Sequence, residues 1–494
     1  MAVPSSSTTI HDQPIVVVGG GLAGSMTALL LSKHNNANII VLESRNDFRV
    51  HERVASENRL TDSLKRSINL ALSYRGISAL KRAGVFSAVE QSMIAMQSRV
   101  VHMPSGSISV QPYGTGDQAI NSISRSDLNR LLLDELDKQS NTKCLFDCKL
   151  QRIDSNGTVY YTDKSKQSHT INARFVVGAD GAYSQVRASL QRLTRVDFSM
   201  QYIKHGYKEL TIPAASSGDY ALSNPNGLHI WPRHEFMLIA LPNPDKSFTC
   251  TLFAPFDGAD GLDNVNSDDE IITYFNKYFS DVIPLMPDLL NDYKQSPNSP
   301  LISVRTAPWI YKDKIVILGD AAHACVPFYG QGMNAAFEDA LLLDEIYQSK
   351  HGNPAETLFE FNKQRVAAGH ALCDLSLDNY IEMRSKTANP LFIFKKKIES
   401  MIHWCIPNTW VPLYTMVAFT RTPYDECIRK GKQHDRILNI GLTTLATSII
   451  ATTTALALNY LPQQYKQKLH INTLRLNTSN NTPLVAQDFR TRLH

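Results

Sequence analysis

The sequence is poor in most of the features that mark a specialised protein. Its 494 residues carry 50 Lys and Arg against 46 Asp and Glu, a net charge of +4, so no nucleic-acid partner is expected. The seven cysteines, at 144, 148, 250, 325, 373, 405 and 427, form no CxxC pair and no zinc spacing. An odd and scattered set reads as reduced thiols in a cytosol-facing protein. The first residues, MAVPSSSTTIHDQP, hold no arginine and no apolar core, which argues against a matrix transit peptide and against a secretory signal. No repeat or low-complexity tract is visible. With 43% hydrophobic and 19% charged residues, a chain of this length can build two or three domains with large cores.

One stretch lacks charge altogether. Ile437 to Tyr465 reads ILNIGLTTLATSIIATTTALALNYLPQQY, and its apolar part, 437–461, is long enough to cross about 30 Å of hydrocarbon at about 1.5 Å per residue. It is rich in threonine and contains Asn439 and Asn459, which weakens it as a span. Arg429, Lys430, Lys432 and Arg436 precede it; Lys466 and Lys468 follow. A membrane helix is expected here, the other reading being a helix of the soluble body. The first twelve residues and the part of the tail 462–494 that follows Lys466 are expected to be disordered.

Three strand-to-turn motifs carry the chemistry. IVVVGGGLAGSMTALLLSKHNNANIIVLE, from Ile15, reads as a buried strand, a glycine turn, a buried helix and a second parallel strand. Gly19, Gly21 and Gly24 form G-x-G-x-x-G in that context, and Glu43 ends the second strand 19 residues after Gly24. Gly19 permits the turn, Gly21 lets a pyrophosphate approach the backbone, and Gly24 lets helix and strand pack closely. The helix N-terminus offers free N–H groups to the phosphates, and Glu43 a ribose acceptor, which favours FAD or NAD over a 2′-phosphorylated nucleotide. In RFVVGADGAYSQVR, a second apolar strand ends in Asp180, where open α/β sheets bind ligands. Asp180 could equally cap the helix that follows. In IVILGDAAHACVPFYGQGMNAAFEDA, a third strand ends at Asp320, and Gly330-Gln331-Gly332 precede another helix N-terminus. That compact loop suits a flat, electron-accepting ring. Between these motifs, GLHIWPR, EFMLIALPN and SFTCTLFAPF read as strands of an antiparallel sheet. From about 331 to 430 the pattern is mostly helical, broken at CIPNTWVPLY.

GGGLAG, GADGAYS and GDAAHACVPFYGQGMNAAFEDA together resemble the FAD-dependent aromatic hydroxylases of the p-hydroxybenzoate hydroxylase type. RSINLALSYRG, RSDLNRLL, QYIKHGYKELTIP, LHIWPR, NYIEMR and VPLYTMVAF narrow the likeness to the kynurenine 3-monooxygenase family, over residues 15 to 420 or so. The resemblance implies an α/β FAD-binding fold, Rossmann-like, with an antiparallel β-sheet substrate domain, a helical C-terminal region and a C-terminal transmembrane helix. It places the FAD-binding domain at 13–100, 120–190 and 305–355, the substrate domain at 101–119 and 191–304, the helical region at 356–436 and the anchor at 437–461. It implies FAD contacts at Gly19, Gly21, Leu22, Gly24, Glu43, Arg45, Ala71, Arg125, Leu150, Asp180, Asp320, Met333 and Asn334. The substrate, L-kynurenine, would have its carboxylate held by Arg99, Tyr113, Asn379 and Tyr414, a sound clamp of guanidinium, phenol and amide donors.

The implied reaction is hydroxylation with NADPH as co-substrate and O2, through a flavin C4a-hydroperoxide. No catalytic side chain and no metal is expected, because the chemistry is borne by the flavin. His323 reads as a loop-ordering residue, since an aniline needs no phenol deprotonation. No second nucleotide motif marks where NADPH binds. The resemblance also implies the mitochondrial outer membrane, with the soluble part facing the cytosol. A lipid epoxidase or reductase and a non-enzymatic flavin-bearing scaffold are the alternatives. The stretch His51 to Lys65 is longer than the family pattern and reads as an enlarged surface loop.

Overall fold

The computed structural model describes residues 13–35, 37–50, 68–113, 118–381, 390–407 and 409–460. The expectations for the first twelve residues, for His51 to Lys65 and for the tail 462–494 lie outside these. The chain divides into two compact units, Met1–Arg429 and Lys430–His494.

The first unit is organised by a six-stranded sheet in the order Ile310–Tyr311, Ile315–Ile317, Val176–Gly178, Ile15–Val18, Ile39–Leu42, Thr142–Leu145. It is parallel except for the edge pair Ile310–Tyr311 and Ile315–Ile317. Ile15–Val18 is buried at every position, as expected of a parallel strand covered on both faces, which is why its sequence is apolar without alternation. The helix Leu22–Leu31 is apolar all round for the same reason and is buried from Gly24 onward. Three adjacent parallel strands end in the three glycine turns found in the sequence. The turns at Gly19, Asp180 and Asp320 therefore lie side by side along one edge of the sheet, although the chain separates them by well over a hundred residues.

A second sheet has seven strands in the order Ser299–Ala307, Asp197–Ile212, Phe248–Pro255, Phe236–Pro242, Gly227–Arg233, Ser98–His102, Ile108–Pro112. It is antiparallel except where Ser98–His102 joins Gly227–Arg233 in parallel, with Leu228 opposite Arg99. That junction differs from an all-antiparallel sheet because the hairpin 98–112 comes from a distant part of the chain, and no tight turn fixes its direction. The chain thus enters this sheet at Ser98, slightly before the expected boundary at 101. One face packs on the helices Asp268–Tyr278 and Leu289–Gln295 through Phe275, Phe279 and Tyr293. The first of these helices opens with a capping box in which the Glu270 N–H donates to Ser267 Oγ and the Ser267 N–H to Glu270 Oε2. The helices Pro354–Ile381, Pro390–Cys405 and Leu413–Phe419 complete the unit, separated where the prolines break the pattern. All seven cysteines are free.

The second unit holds most of the helix Tyr424–Tyr460. It is the one helix among the described residues that is long and apolar enough to cross a membrane, with a mean hydropathy of 1.5 and none of its most apolar window buried within the protein. Five of its six threonines pair their hydroxyls with the helix backbone. Thr443, Thr444, Thr447, Thr452 and Thr453 each donate to the carbonyl four residues earlier, at 2.6, 2.8, 2.9, 2.8 and 2.8 Å. Back-bonding of this kind hides the polar groups that make the sequence a weak span on transfer scales.

The large sheet also buries a histidine pair. His229 is 0% exposed; its Nδ1 meets His102 Nε2 at 2.9 Å and its Nε2 meets the Asn224 carbonyl at 3.2 Å. Burial, reinforced by His102, pushes the His229 pKa down to about 4. The unfolded chain takes up this proton near pH 6.5 and the folded one only near 4. The contribution is therefore complete above pH 6.5 and is lost as pH falls toward 4, by about 3 kcal/mol at about 1.4 kcal/mol per unit. Melting curves between pH 7 and 4 are expected to show this slope, and His229→Gln to flatten it. An unchanged slope in the variant would assign the acid sensitivity elsewhere.

Candidate active site

The glycine turn after Ile15–Val18 is built by close approach. Gly19 has φ +108°, and a methyl group on it would strike the Ala179 carbonyl of the neighbouring turn; one on Gly24 would strike the Gly19 carbonyl. Gly21 is different, because a methyl there would meet nothing within 4 Å. The fold needs Gly19 and Gly24, whereas the space in front of Gly21 is left open. Leu22 begins the helix whose first N–H groups have no intrahelical acceptor. Asn129, which the sequence reading missed, donates to the Gly20 carbonyl at 3.2 Å and steadies the turn. These features fit a pyrophosphate.

Glu43 accepts from the Gly20 N–H at 2.7 Å, and from the Arg45 N–H and Nε at 2.9 Å each. Burial pushes its carboxyl up, but Arg45 and the backbone donors outweigh this and hold it below the usual carboxylate range. The Arg45 side chain is otherwise exposed. Asp180 caps the helix Gln185–Leu193: it accepts from the Gln185 and Val186 N–H at 2.7 and 3.1 Å and from Ser184 Oγ at 2.5 Å. Burial pushes its pKa up. Of the two readings of Asp180, helix capping is therefore present in the fold. Arg187 joins the second and third turns, donating to the Ala182 and Ala321 carbonyls at 2.5 and 2.7 Å.

At the third turn Gly319 has φ +57°, and a methyl group there would lie 3.2 Å from the Ala23 methyl and 3.3 Å from that of Ala336. The N-terminal turns of two helices thus flank it. Asp320 is exposed and has no hydrogen-bond or ion-pair partner among the described residues, so its carboxylate is available to a ligand hydroxyl. The loop beyond it is held from below. His323 Nε2 meets Asp339 Oδ2 at 2.6 Å, Asp339 also takes the Gly319 N–H at 2.8 Å and Arg365 Nε at 2.5 Å, and His323 stacks on Trp309. Burial would raise the Asp339 pKa, but His323 and Arg365 hold it well below the carboxylate range. The loop-ordering role read for His323 matches this geometry.

Gly330 has φ +65° and lies against Ala71. Asn334, 0% exposed, donates to the Ala71 and Gly330 carbonyls at 2.7 and 2.9 Å and accepts the Ser73 N–H at 2.8 Å. Its side chain is thus spent on the protein, and what it can offer a flavin is its N–H. Gly332, half-buried Met333 and Asn334 open the helix Gly332–Ser349 with N–H groups that have no intrahelical acceptor. Arg125 is exposed at the start of the helix Arg125–Asp137. Leu150, expected at the cofactor, is 4% exposed with its side chain in the apolar core on the strand Lys149–Ile153, so it is the backbone there that could face a ligand.

Arg99, Tyr113 and Tyr414 converge from the large sheet and the helix Leu413–Phe419. The Arg99 guanidinium lies 5.2 Å from the Tyr113 ring centroid and 4.5 Å from that of Tyr414; the two rings stack at 5.7 Å and 14°. Burial alone would lower the Arg99 pKa, but the phenol oxygens that accept its hydrogen bonds keep it raised. No carboxylate pairs with Arg99 among the described residues. Tyr414 also stacks on Tyr329 of the loop, at 5.5 Å, and Asn379 donates to the Phe328 carbonyl at 2.7 Å. The fourth expected clamp residue therefore reaches the same loop one residue earlier. Phe328 packs on Tyr380 at 4.1 Å and on Phe253 at 4.9 Å, in an apolar cluster with Ile230 and Met237. Several of these residues lie in the quoted segments GDAAHACVPFYGQGMNAAFEDA, LHIWPR and NYIEMR, but only the fold shows that they form one wall.

Residues 12–348 match the family model described as an FAD binding domain. The chain is 43% identical to kynurenine 3-monooxygenase of Sus scrofa over 91% of this chain and 93% of that protein. It is 40% identical to that of Dictyostelium discoideum over 87% and 93%, and 37% identical to that of Anopheles gambiae over 94% of each. Among solved structures it is similar in fold to 2-methyl-3-hydroxypyridine-5-carboxylic acid oxygenase, with a TM-score of 0.62 and 18% identity over 76% of this chain and 94% of that one. A p-nitrophenol 4-monooxygenase from Pseudomonas putida gives a TM-score of 0.59 and 17% identity over 79% and 92%. With 37–43% identity to these relatives over most of each chain and an FAD binding domain matched over residues 12–348, the chain belongs to the kynurenine 3-monooxygenase family of FAD-dependent monooxygenases.

Proposed function

We propose that the protein hydroxylates L-kynurenine to 3-hydroxy-L-kynurenine, consuming NADPH and O2 and releasing NADP+ and water. One observation carries the substrate reading: Arg99 is a half-buried cation between two phenols, with no carboxylate partner among the described residues, against the loop that is fit to seat the flavin. A buried charge needs an opposite charge, and an amino-acid carboxylate supplies it with geometry that a guanidinium can match. Neither a lipid epoxidase nor a flavin scaffold accounts for that cation.

The residues divide the work. Gly19, Gly21, Leu22 and Gly24 take the pyrophosphate, Glu43 with Arg45 the adenosine side, and Asp320 the ribityl chain, with Arg125 near the flavin. Ala71, Met333 and Asn334 border the ring. Bound there, FAD supplies the redox chemistry: it accepts hydride from NADPH and activates O2. Arg99, Tyr113, Tyr414 and Asn379 orient the substrate, and the cluster around Phe253 and Phe328 excludes water from the reacting ring. The ring carbon ortho to the amino group is electron-rich, so no side chain has to deprotonate the substrate. The helix Tyr424–Tyr460 anchors the protein, in our reading in the mitochondrial outer membrane with the first unit in the cytosol.

The test is NADPH consumption by detergent-solubilised protein with and without L-kynurenine, with the product identified. Consumption without hydroxylated product, or without dependence on kynurenine, overturns the proposal. Arg99→Ala removes one partner of an ion pair, at about 3 kcal/mol for a site only half-buried, so kynurenine binding is expected to weaken about 100-fold with FAD content intact.

Gly21→Val is expected to fold, since nothing of the protein occupies that space, yet to lose FAD; Gly24→Ala is expected to lose both fold and FAD. Yellow Gly21→Val protein would contradict the pyrophosphate assignment.

Deleting everything after Arg436 is expected to release flavin-bearing protein from membranes. Its retention in the pellet after a high-salt wash would disprove C-terminal anchoring.

A further inference from the structure

The stretch SYRG, residues 73–76, takes no part in the roles above, yet its arginine ties together three distant parts of the chain. Arg75 is 0% exposed. Its Nη1 donates to both oxygens of Glu338, at 2.6 and 2.7 Å. Its Nε donates to the Val417 carbonyl at 3.0 Å and its Nη2 to the Thr422 carbonyl at 2.5 Å. The Tyr424 ring lies 4.0 Å from the guanidinium carbon. Gly76 beside it cannot carry a side chain, because a methyl there would come within 2.6 Å of Asn334 Oδ1 and of Leu72.

Val417 belongs to the last turn of Leu413–Phe419, where carbonyls have no acceptor role within the helix. That helix has seven residues and no side-chain N-cap, too short to hold its shape by propensity. Arg75 satisfies one of its terminal carbonyls, places a cation at the negative end of its dipole, and fixes the chain just beyond it at Thr422. The opposite edge of the guanidinium is held by Glu338, on the helix Gly332–Ser349 that begins at the flavin loop.

We propose that Arg75 is a positioning residue for the carboxylate clamp. It sets Tyr414 against Arg99 by capping the helix that carries Tyr414, and references that helix to the one that starts at the flavin loop. Only a planar fork with several donors can serve two carbonyls and a carboxylate together; an ammonium cannot. The inference rests on the clamp reading of Arg99, Tyr113 and Tyr414.

The experiment uses full-length detergent-solubilised holoenzyme and two ligands: L-kynurenine, and its decarboxylated amine with the same ring and side-chain skeleton. Dissociation constants are read from perturbation of the flavin spectrum, alongside FAD content and melting temperature. Arg75→Lys keeps the charge opposite Glu338 and is expected to weaken kynurenine binding roughly tenfold, with less than about a twofold effect on the amine. A merely structural residue would shift both ligands alike. An equal loss for both, or no loss for either, overturns the proposal. If Arg75→Lys does not retain flavin, Tyr424→Leu replaces it, because it strips the ring from the guanidinium and leaves every hydrogen bond of Arg75 in place. The same carboxylate-selective loss is then expected, at roughly threefold, and its absence overturns the proposal. If the wild type binds the two ligands equally, the clamp reading fails and the inference with it. If Arg75→Lys keeps the full preference for kynurenine, the role of Arg75 alone fails.

Discussion

Two adjacent carboxylates, Glu338 and Asp339, are buried in the helix Gly332–Ser349, and the site is arranged around the cations that neutralise them. Asp339 takes His323 and Arg365; Glu338 takes Arg75 and, at 2.9 Å, Arg365. Removing one partner from such a group leaves a desolvated charge and costs about 3–5 kcal/mol. The network therefore acts as a single unit. Through His323 and Gly319 it holds the loop that begins at Asp320; through Arg75 it holds the chain on both sides of Thr420. The contacts of Asp339 are within 26 residues, whereas those of Arg75 span 263 residues or more, so that half of the network forms only when distant parts of the first unit have come together.

The same logic explains why the substrate-facing groups come from such different places. Arg99 arrives on a strand added in parallel to an otherwise antiparallel sheet, Tyr113 at the end of the hairpin that follows it, and Tyr414 on a short helix near the end of the unit. Stacking of Tyr414 on Tyr329 then joins them to the loop. A pocket walled by several elements can exclude water from all sides, which a single loop could not do. The four aromatic and apolar contacts of the loop also give it a fixed position against which a cofactor ring can lie.

Much of the cofactor cradle was legible in the sequence because it depends on local geometry. Gly19 is favoured as glycine by its φ of +108° and Gly24 by the Gly19 carbonyl it would strike, and an apolar strand with no alternation must be covered on both faces; these constraints leave a local pattern, whereas the approach of Gly19 to Ala179 does not. Leu150 and Asn334 mark the limit. A resemblance can place them near a ligand, but only packing shows that one side chain is spent in the core and the other on three backbone groups. The threonines of the C-terminal helix are a further case, since composition makes them a liability and helical geometry pairs them.

What the sequence by itself determined is the set of elements: the strand ends with their glycine turns, the buried helix between them, and the uncharged helix from 437 onward. These follow from backbone sterics and from the periodicity of burial, which are properties of neighbouring residues. Only the tertiary structure decided which strand ends are adjacent, which arginine faces tyrosines instead of carboxylates, and that Arg75, in an unremarkable motif, caps a helix more than three hundred residues away. Such pairings depend on charge and volume in a shared interior. The energy of a buried ion depends on everything that surrounds it, and no local pattern of residues encodes that surrounding.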